Sequence, residues 1–113
     1  MSFGNSAMTQ QLMRAQPLVM QSLAFGSVGS SYVVAATFTQ PLVQLLLYST
    51  YDVNILLSLD GTNDFMEFPS KGTLILDEKT NGILLTGLYG VFIKELGSAP
   101  TLGNFRVSAI GQV

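Results

Sequence analysis

The apolar stretches of this sequence are short, and from residue 18 onward Gly, Pro, Asn or Ser interrupts them about every 8–12 residues. They are rich in Val, Ile, Phe and Tyr, which favour β-strands. Strands at this spacing are typical of sandwiches and barrels. The sequence therefore predicts an all-β fold, a single antiparallel β-sandwich or jelly-roll-like domain of about eight short strands with an extended N-terminal arm.

Individual strands are predicted from the side-chain pattern within each stretch. Val53, Ile55, Leu57 and Leu59 alternate with other residues, so we expect one face of this strand to point into the core. Residues 42–49 contain consecutive leucines and are predicted to be a strand buried on both faces, with a helix as the alternative. The predicted strands are residues 18–25, 31–39, 42–49, 53–59, 65–68, 73–76, 83–85, 89–94 and 105–110.

Charged residues are scarce and unevenly placed. Lys and Arg number 5 and Asp and Glu 7, which is 11% of the chain against roughly 25% in an ordinary domain. No charge lies between Arg14 and Asp52. A membrane-spanning helix needs about 20 consecutive apolar residues, and polar or turn residues interrupt every candidate. We therefore expect no membrane association, and we expect neighbouring subunits to cover the neutral half, which predicts a homo-oligomer.

Residues 1–17 are rich in Gln, Ser, Asn and Met. Such a polar segment buries too little apolar surface to offset the entropy of ordering without a partner. We predict that it is an arm, separate from a β-sandwich domain at residues 18–113, and that it binds a neighbouring chain; a frayed terminus is the alternative. The residues predicted to make this contact are Phe3, Leu12, Met13 and Leu18.

The composition excludes several classes of function. The chain has no His, Cys or Trp, so it lacks an imidazole base, a thiolate nucleophile and a zinc-type ligand set. Its basic residues are scattered, whereas a nucleic-acid surface needs them clustered to neutralise phosphates. We therefore expect no catalysis, no cofactor and no nucleic-acid partner.

One loop offers oxygen ligands for calcium. Asp60, Asn63 and Asp64 lie close together in sequence, but their spacing does not match an EF-hand loop. Gly, Asn and Asp in such a cluster are also typical of a tight turn, because they accept positive φ or bond to the local backbone. We therefore predict a turn at residues 60–64, a second turn at residues 69–72, and no metal site.

The tyrosines suggest an alternative function. Tyr32, Tyr48, Tyr51 and Tyr89 could stack on sugar rings, as in a carbohydrate-binding β-sandwich module. Aromatic residues in strands also fill cores and interfaces.

Four segments of the C-terminal half resemble a known group of proteins: residues 58–65, the Pro-x-x-Gly turn at residues 69–72, and residues 91–94 and 98–107. Together they look like the small β-sandwich structural proteins of tailed bacteriophage virions. The resemblance implies a many-copy head decoration or cement protein, or a neck or tail subunit. It also implies capsid or tail proteins as partners, a location in the virion after assembly in the host cytoplasm, and no catalytic residues.

Overall fold

The computed structural model describes residues 15–77 and 84–112, and there the chain is almost entirely β-strand. Two antiparallel sheets pack as a sandwich, which confirms the predicted fold class. A short 3₁₀ helix covers Phe25–Ser27. The strands are β1 (Ala15–Pro17), β2 (Gln21–Ala24), β3 (Val33–Thr37), β4 (Leu42–Ser49), β5 (Ile55–Ser58), β6 (Met66–Phe68), β7 (Thr73–Asp77), β8 (Gly90–Glu95) and β9 (Asn104–Gln112).

The two sheets interleave along the chain. The five-stranded sheet has the order β1-β9-β4-β7, with β2 also paired to β9, and the four-stranded sheet has the order β3-β8-β5-β6. Only β1–β2 and β5–β6 are consecutive strands of one sheet among those the structure describes. Every other connection crosses from one sheet to the other, so each sheet is completed by distant parts of the chain.

The core lies between the sheets and follows the alternation of side chains along each strand. Ile55 and Leu57 are fully buried, as predicted. The bounds predicted for the strand at residues 42–49 match β4, but the prediction that both its faces are buried is wrong. Leu45 and Leu47 are fully buried, whereas Leu46 is half-buried on the outer face. A central strand of a sandwich meets the other sheet on one side only.

Aromatic rings fill the centre of the core. The Phe105 ring packs edge-on against Phe68, with centroids 5.1 Å apart, and stacks on Tyr51 at 6.5 Å. All three side chains are almost fully buried. The Tyr51 hydroxyl donates to the Leu23 carbonyl oxygen at 2.7 Å, so the polar end of this tyrosine is satisfied at strand β2.

The strand predicted at residues 83–85 is wrong where the structure describes it. Residues 84–87 form a helical turn, while Ile83 lies outside the described residues. Leu85 and Leu88 are both buried, and a spacing of three residues puts them on the same side of a helical turn. Burial of this pair therefore favours the turn over a strand.

A glutamine side chain joins the edges of the two sheets. The Gln21 amide nitrogen donates to the Thr37 carbonyl oxygen at 2.9 Å, and the Thr37 backbone nitrogen donates to the Gln21 side-chain oxygen at 3.1 Å. The side chain thereby bonds both backbone groups of Thr37, as a neighbouring strand would. This pairing satisfies part of the exposed edge of β3.

Part of the predicted arm belongs to the five-stranded sheet. Ala15–Pro17 forms β1, and the Leu18 backbone nitrogen donates to the Ala109 carbonyl oxygen at 2.9 Å. The Leu18 side chain is half-buried against the core of its own chain, although the sequence predicted contact with a neighbour. The other predicted arm contacts, Phe3, Leu12 and Met13, lie outside the described residues.

Candidate functional site

The outer surface of the five-stranded sheet carries an uncharged, largely apolar patch. Strand register places Leu46 of β4 between Ile75 of β7 and Ser108 of β9, and it pairs Gln44 with Ile110 in the next row. We call these five residues the neutral face. Ile75 is 58% exposed although it lies in the middle of a strand. An antiparallel sheet with one solvated face normally carries polar side chains there, so this surface is unusual.

A shallow groove crosses the neutral face and gives it shape. Its volume is about 350 Å³. Charged side chains flank the face, with Arg106 towards one end and Asp77 at the end of β7. The Arg106 guanidinium donates to the Tyr48 hydroxyl at 3.3 Å and lies 5.9 Å from the centre of its ring. The groove itself is lined by Pro17, Leu18, Gln44, Leu46, Ser108, Ala109 and Ile110.

The outer surface of the four-stranded sheet is different because a loop folds over it. Gly61, in the left-handed region with φ +82°, lies against the Phe92 ring, and Ser58 beneath the loop is fully buried. The Tyr89 hydroxyl donates to the Asp60 carbonyl oxygen at 3.1 Å and holds the loop from its other side. This face is therefore partly covered by its own chain.

Asp60 organises that loop, as the predicted turn requires. Its carboxylate accepts hydrogen bonds from the backbone nitrogens of Asn63 and Thr62, from the Asn63 side-chain amide and from the Ser58 hydroxyl. These bonds, with the Asn63 backbone contributing most, hold the pKa of Asp60 well below its usual range. The carboxylate that a calcium ion would need is already bound by the turn. Over the described ranges, no group of three or more His, Cys, Asp or Glu residues is placed to hold a metal ion.

Charged groups fasten the end of the same loop. Asp64 accepts a hydrogen bond from the Tyr32 hydroxyl and lies 3.8 Å from the Lys94 ammonium, which itself sits 4.6 Å above the Tyr32 ring. Burial, and then the hydrogen bond to Asp64, raises the pKa of Tyr32 to about 12. Glu67 accepts a hydrogen bond from the Asn54 amide on the same face. The four-stranded sheet thus presents a charged outer surface, in contrast to the neutral face.

The four tyrosines do not form one sugar-binding surface. Tyr51 is fully buried in the core, and Tyr48 lies on the outer side of the five-stranded sheet. Tyr32 and Tyr89 lie on the side of the four-stranded sheet, and Tyr89 is 56% exposed. Tyr51 is therefore part of the aromatic core, the other role that the sequence left open for these tyrosines.

Tyr89 borders a small groove at one end of the sandwich. Its ring is fixed by an edge-on contact with Phe92, with centroids 6.0 Å apart. The groove has a volume of about 240 Å³ and no charged side chain lines it. Its lining is Phe38, Thr39, Gln40, Pro41, Thr86, Gly87, Leu88 and Tyr89.

The side-chain pattern of β4 and β7 contains a signal for the neutral face. Gln44, Leu46 and Tyr48 share one parity along β4, and the polar residues at both ends of this set mark it as the outer side. Thr73, Ile75 and Asp77 share a parity along β7 in the same way. A leucine or isoleucine between two outward-facing polar residues indicates an apolar contact surface, and this reading applies to Leu46 and Ile75.

Comparison of the chain with protein-family models, with curated proteins and with solved structures finds no match. In the part of the chain that the structure describes, no helix is long and apolar enough to cross a membrane.

Proposed function

We propose that this protein is a structural subunit of a tailed-phage virion. In this role it is a many-copy head decoration or cement protein, or a neck or tail subunit. Its partners are copies of itself and other virion proteins of the capsid or tail. It is assembled in the host cytoplasm and contributes surface and contacts rather than catalysis.

The observation that carries this proposal is the neutral face. Monomeric soluble proteins seldom expose a contiguous apolar patch of more than a few hundred Å², and such patches mark contact surfaces. Leu46, Ile75 and Ile110 lie in two adjacent rows of a regular sheet: Ile75 is 58% exposed, while Leu46 and Ile110 are half-buried and line the shallow uncharged groove. A further set of large apolar side chains is exposed elsewhere on the described residues: Val19, Met20, Phe25, Val34, Phe65, Tyr89, Leu96 and Leu102.

Scarce charge supports the same proposal. Charged residues make up 11% of the chain, so few are available to keep an isolated copy soluble. A subunit whose surface is largely covered by neighbours needs less charge than a free monomer. The absence of His and Cys from the whole sequence removes the usual general base and nucleophile and agrees with a non-catalytic role.

Mass spectrometry of purified virions whose genome encodes this chain tests the proposal. We expect the protein in the particles at many copies per virion, measured against the major capsid protein. Its presence in the infected-cell lysate but not in purified virions would contradict a structural role.

A carbohydrate-binding module is the second candidate, favoured by the exposed Tyr89 ring beside an uncharged groove. An aromatic face with neighbouring hydroxyl and amide groups is suited to a neutral sugar. A glycan array with Tyr89→Ala, and with Tyr48→Ala on the other sheet as the control, tests it. Binding that is lost only in Tyr89→Ala would support this function, and wild-type protein that binds no glycan would exclude it.

A further inference from the structure

We infer that the neutral face binds the neutral face of a second copy of this chain, as a symmetric pair. The inference rests on the proposed function and names the partner of this surface. Two identical copies then meet sheet to sheet, with Leu46 and Ser108 at the centre of the contact, and this contact is one of those that build the assembly.

The charges on and beside the neutral face favour a second copy of this chain as its partner. Gln44, Leu46, Ile75, Ser108 and Ile110 are uncharged, and one anion and one cation border them: Asp77 is paired with Gln44, and Arg106 lies two residues from Ser108 on β9. A partner surface with charge at its centre would lose hydration over the five uncharged residues. The outer side of the four-stranded sheet carries Asp64, Glu67 and Lys94 and is a poor match for that reason. The same face of a second copy has the same uncharged centre, and the two charges that border it, Asp77 and Arg106, are of opposite sign.

Symmetry agrees with this choice. In a two-fold pair the same patch is used by both copies, and apolar groups match copies of themselves whereas a charged centre would repel itself. Arg106 lies in the row next to Ser108, outside the five residues of the neutral face, and is engaged with Tyr48. Two sheets can pack face to face at about 10 Å, with their side chains interdigitating.

The size of the face indicates how strong one such pair is. The eight residues of β4 span about 26 Å at ~3.3 Å each, and four strand positions span about 14 Å at ~4.8 Å spacing. The flat area of the whole outer side of this sheet, of which the neutral face is the middle part, is therefore about 400 Å² per copy, below the ~800 Å² per partner of a standard interface. We expect a weak pair in isolation, which becomes effective when many copies are held in one particle.

The experiment uses the fact that the chain has no cysteine. In a symmetric face-to-face pair the two-fold axis lies between the two sheets, and a residue at the centre of the contact faces its own copy. Ser108 should therefore lie close to Ser108 of the second copy. Because the isolated pair is expected to be weak, we would treat Ser108→Cys with a short bis-maleimide cross-linker at about 1 mM protein and measure the covalent dimer. Val34→Cys is the matched control, because Val34 is a strand residue, 47% exposed, on the other sheet.

A second pair of variants tests the apolar contact. Ile75→Lys in the Ser108→Cys background should lower the yield of cross-linked dimer about ten-fold or more, because a lysine ammonium would have to be buried in the contact. Val34→Lys in the same background should leave the yield unchanged. Circular dichroism and melting curves show whether each variant has kept its β-fold before cross-linking is compared.

Strong cross-linking of Ser108→Cys that is sensitive to Ile75→Lys supports the symmetric pair. Cross-linking no greater than that of Val34→Cys, or no response to Ile75→Lys in a folded protein, overturns it. If the chain is nevertheless a many-copy component of purified virions, the proposed function stands and only the partner is wrong. If Ser108→Cys forms the pair but the virions lack the protein, the proposed function fails while the pairing holds.

Discussion

Replacing Tyr51 with phenylalanine tests the hydrogen bond that links the centre of the sandwich to its edge. The Tyr51 side chain is fully buried and stacks on Phe105, and its hydroxyl donates to the Leu23 carbonyl oxygen at 2.7 Å. Tyr51→Phe keeps the ring and removes only the hydroxyl. The change in the free energy of unfolding therefore reports on this hydrogen bond.

The expected loss follows from the geometry. A hydrogen bond in a protein contributes about 0.5–1.5 kcal/mol net, and a carbonyl left without its partner adds to the cost where water is excluded. Leu23 is half-buried, so water can replace part of the lost bond. We expect Tyr51→Phe to lower the free energy of unfolding by about 1–2 kcal/mol, which lowers the melting temperature by about 4–10 °C in a domain of this size.

Urea unfolding followed by circular dichroism, at one fixed protein concentration, measures this loss. The control is Tyr48→Phe, since the Tyr48 hydroxyl is half-exposed and meets Arg106 at the surface. We expect the control to change the free energy of unfolding by less than about 0.5 kcal/mol. The reasoning fails if Tyr51→Phe is as stable as the wild type, or if the two variants lose equal stability.

The same pair of variants has a defined pH dependence. Burial raises the pKa of Tyr51 to about 12, above its ordinary value near 10. From pH 10 to pH 12 the unfolded chain loses this proton while the folded chain keeps it, so wild-type stability falls as pH rises. The stability difference between wild type and Tyr51→Phe should therefore be constant below pH 10 and should shrink between pH 10 and pH 12. Tyr32, whose pKa is also raised to about 12, is common to both chains and does not affect this difference.

Three other predictions follow from the fold. Gly103→Ala should lower the free energy of unfolding, measured with urea, by about 3 kcal/mol or more, because Gly103 has φ +97° and an added Cβ would overlap a backbone carbonyl. Gly97→Ala should lower the free energy of unfolding clearly less, because Gly97 has φ +85° but an added Cβ would meet open space. Calcium should leave the melting temperature unchanged in the wild type and in the double variant Asp60→Asn, Asp64→Asn, because the turn already engages the Asp60 carboxylate. A melting temperature that rises with calcium in the wild type alone would reveal a calcium site. Deleting residues 1–14, which stops short of β1, should keep the β-sheet circular dichroism and weaken self-association in sedimentation velocity; equal association would show that the arm is dispensable.

The alternation of side chains made most of the strands predictable. The bounds of β4 match the prediction, and Phe105, Val107 and Ala109 of β9 are buried at every second position, as a period of two requires. The turn at residues 69–72 was predictable for a similar local reason. The Gly72 backbone nitrogen donates to the Pro69 carbonyl oxygen at 3.0 Å, and a Cβ at Gly72 would collide with the proline ring. These features depend on neighbours in the sequence, so the sequence contains the information needed to infer them.

The candidate site was predictable only in outline. Sparse charge indicated that apolar surface would be exposed, and Ile75 on the neutral face is 58% exposed. Its position was missed because consecutive leucines in β4 suggested burial on both sides. Of the four tyrosines, none could be assigned to the core or to the surface from the sequence, since a tyrosine in a strand is compatible with either.

The sequence by itself determined that the chain is all-β, the approximate position of most strands, and which residues of an alternating strand share a side, because these depend on a period of two and on local turn chemistry. The tertiary structure alone decided that β9 pairs with β4 on one side and with both β1 and β2 on the other, and that β4 meets β7 on its other side. Only this pairing brings Leu46, Ile75 and Ser108 into one patch from three distant segments. It also determines which leucines have a second sheet above them. Which distant strands pair depends on how the whole core is buried, and the side-chain pattern of a single strand does not specify the strands beside it.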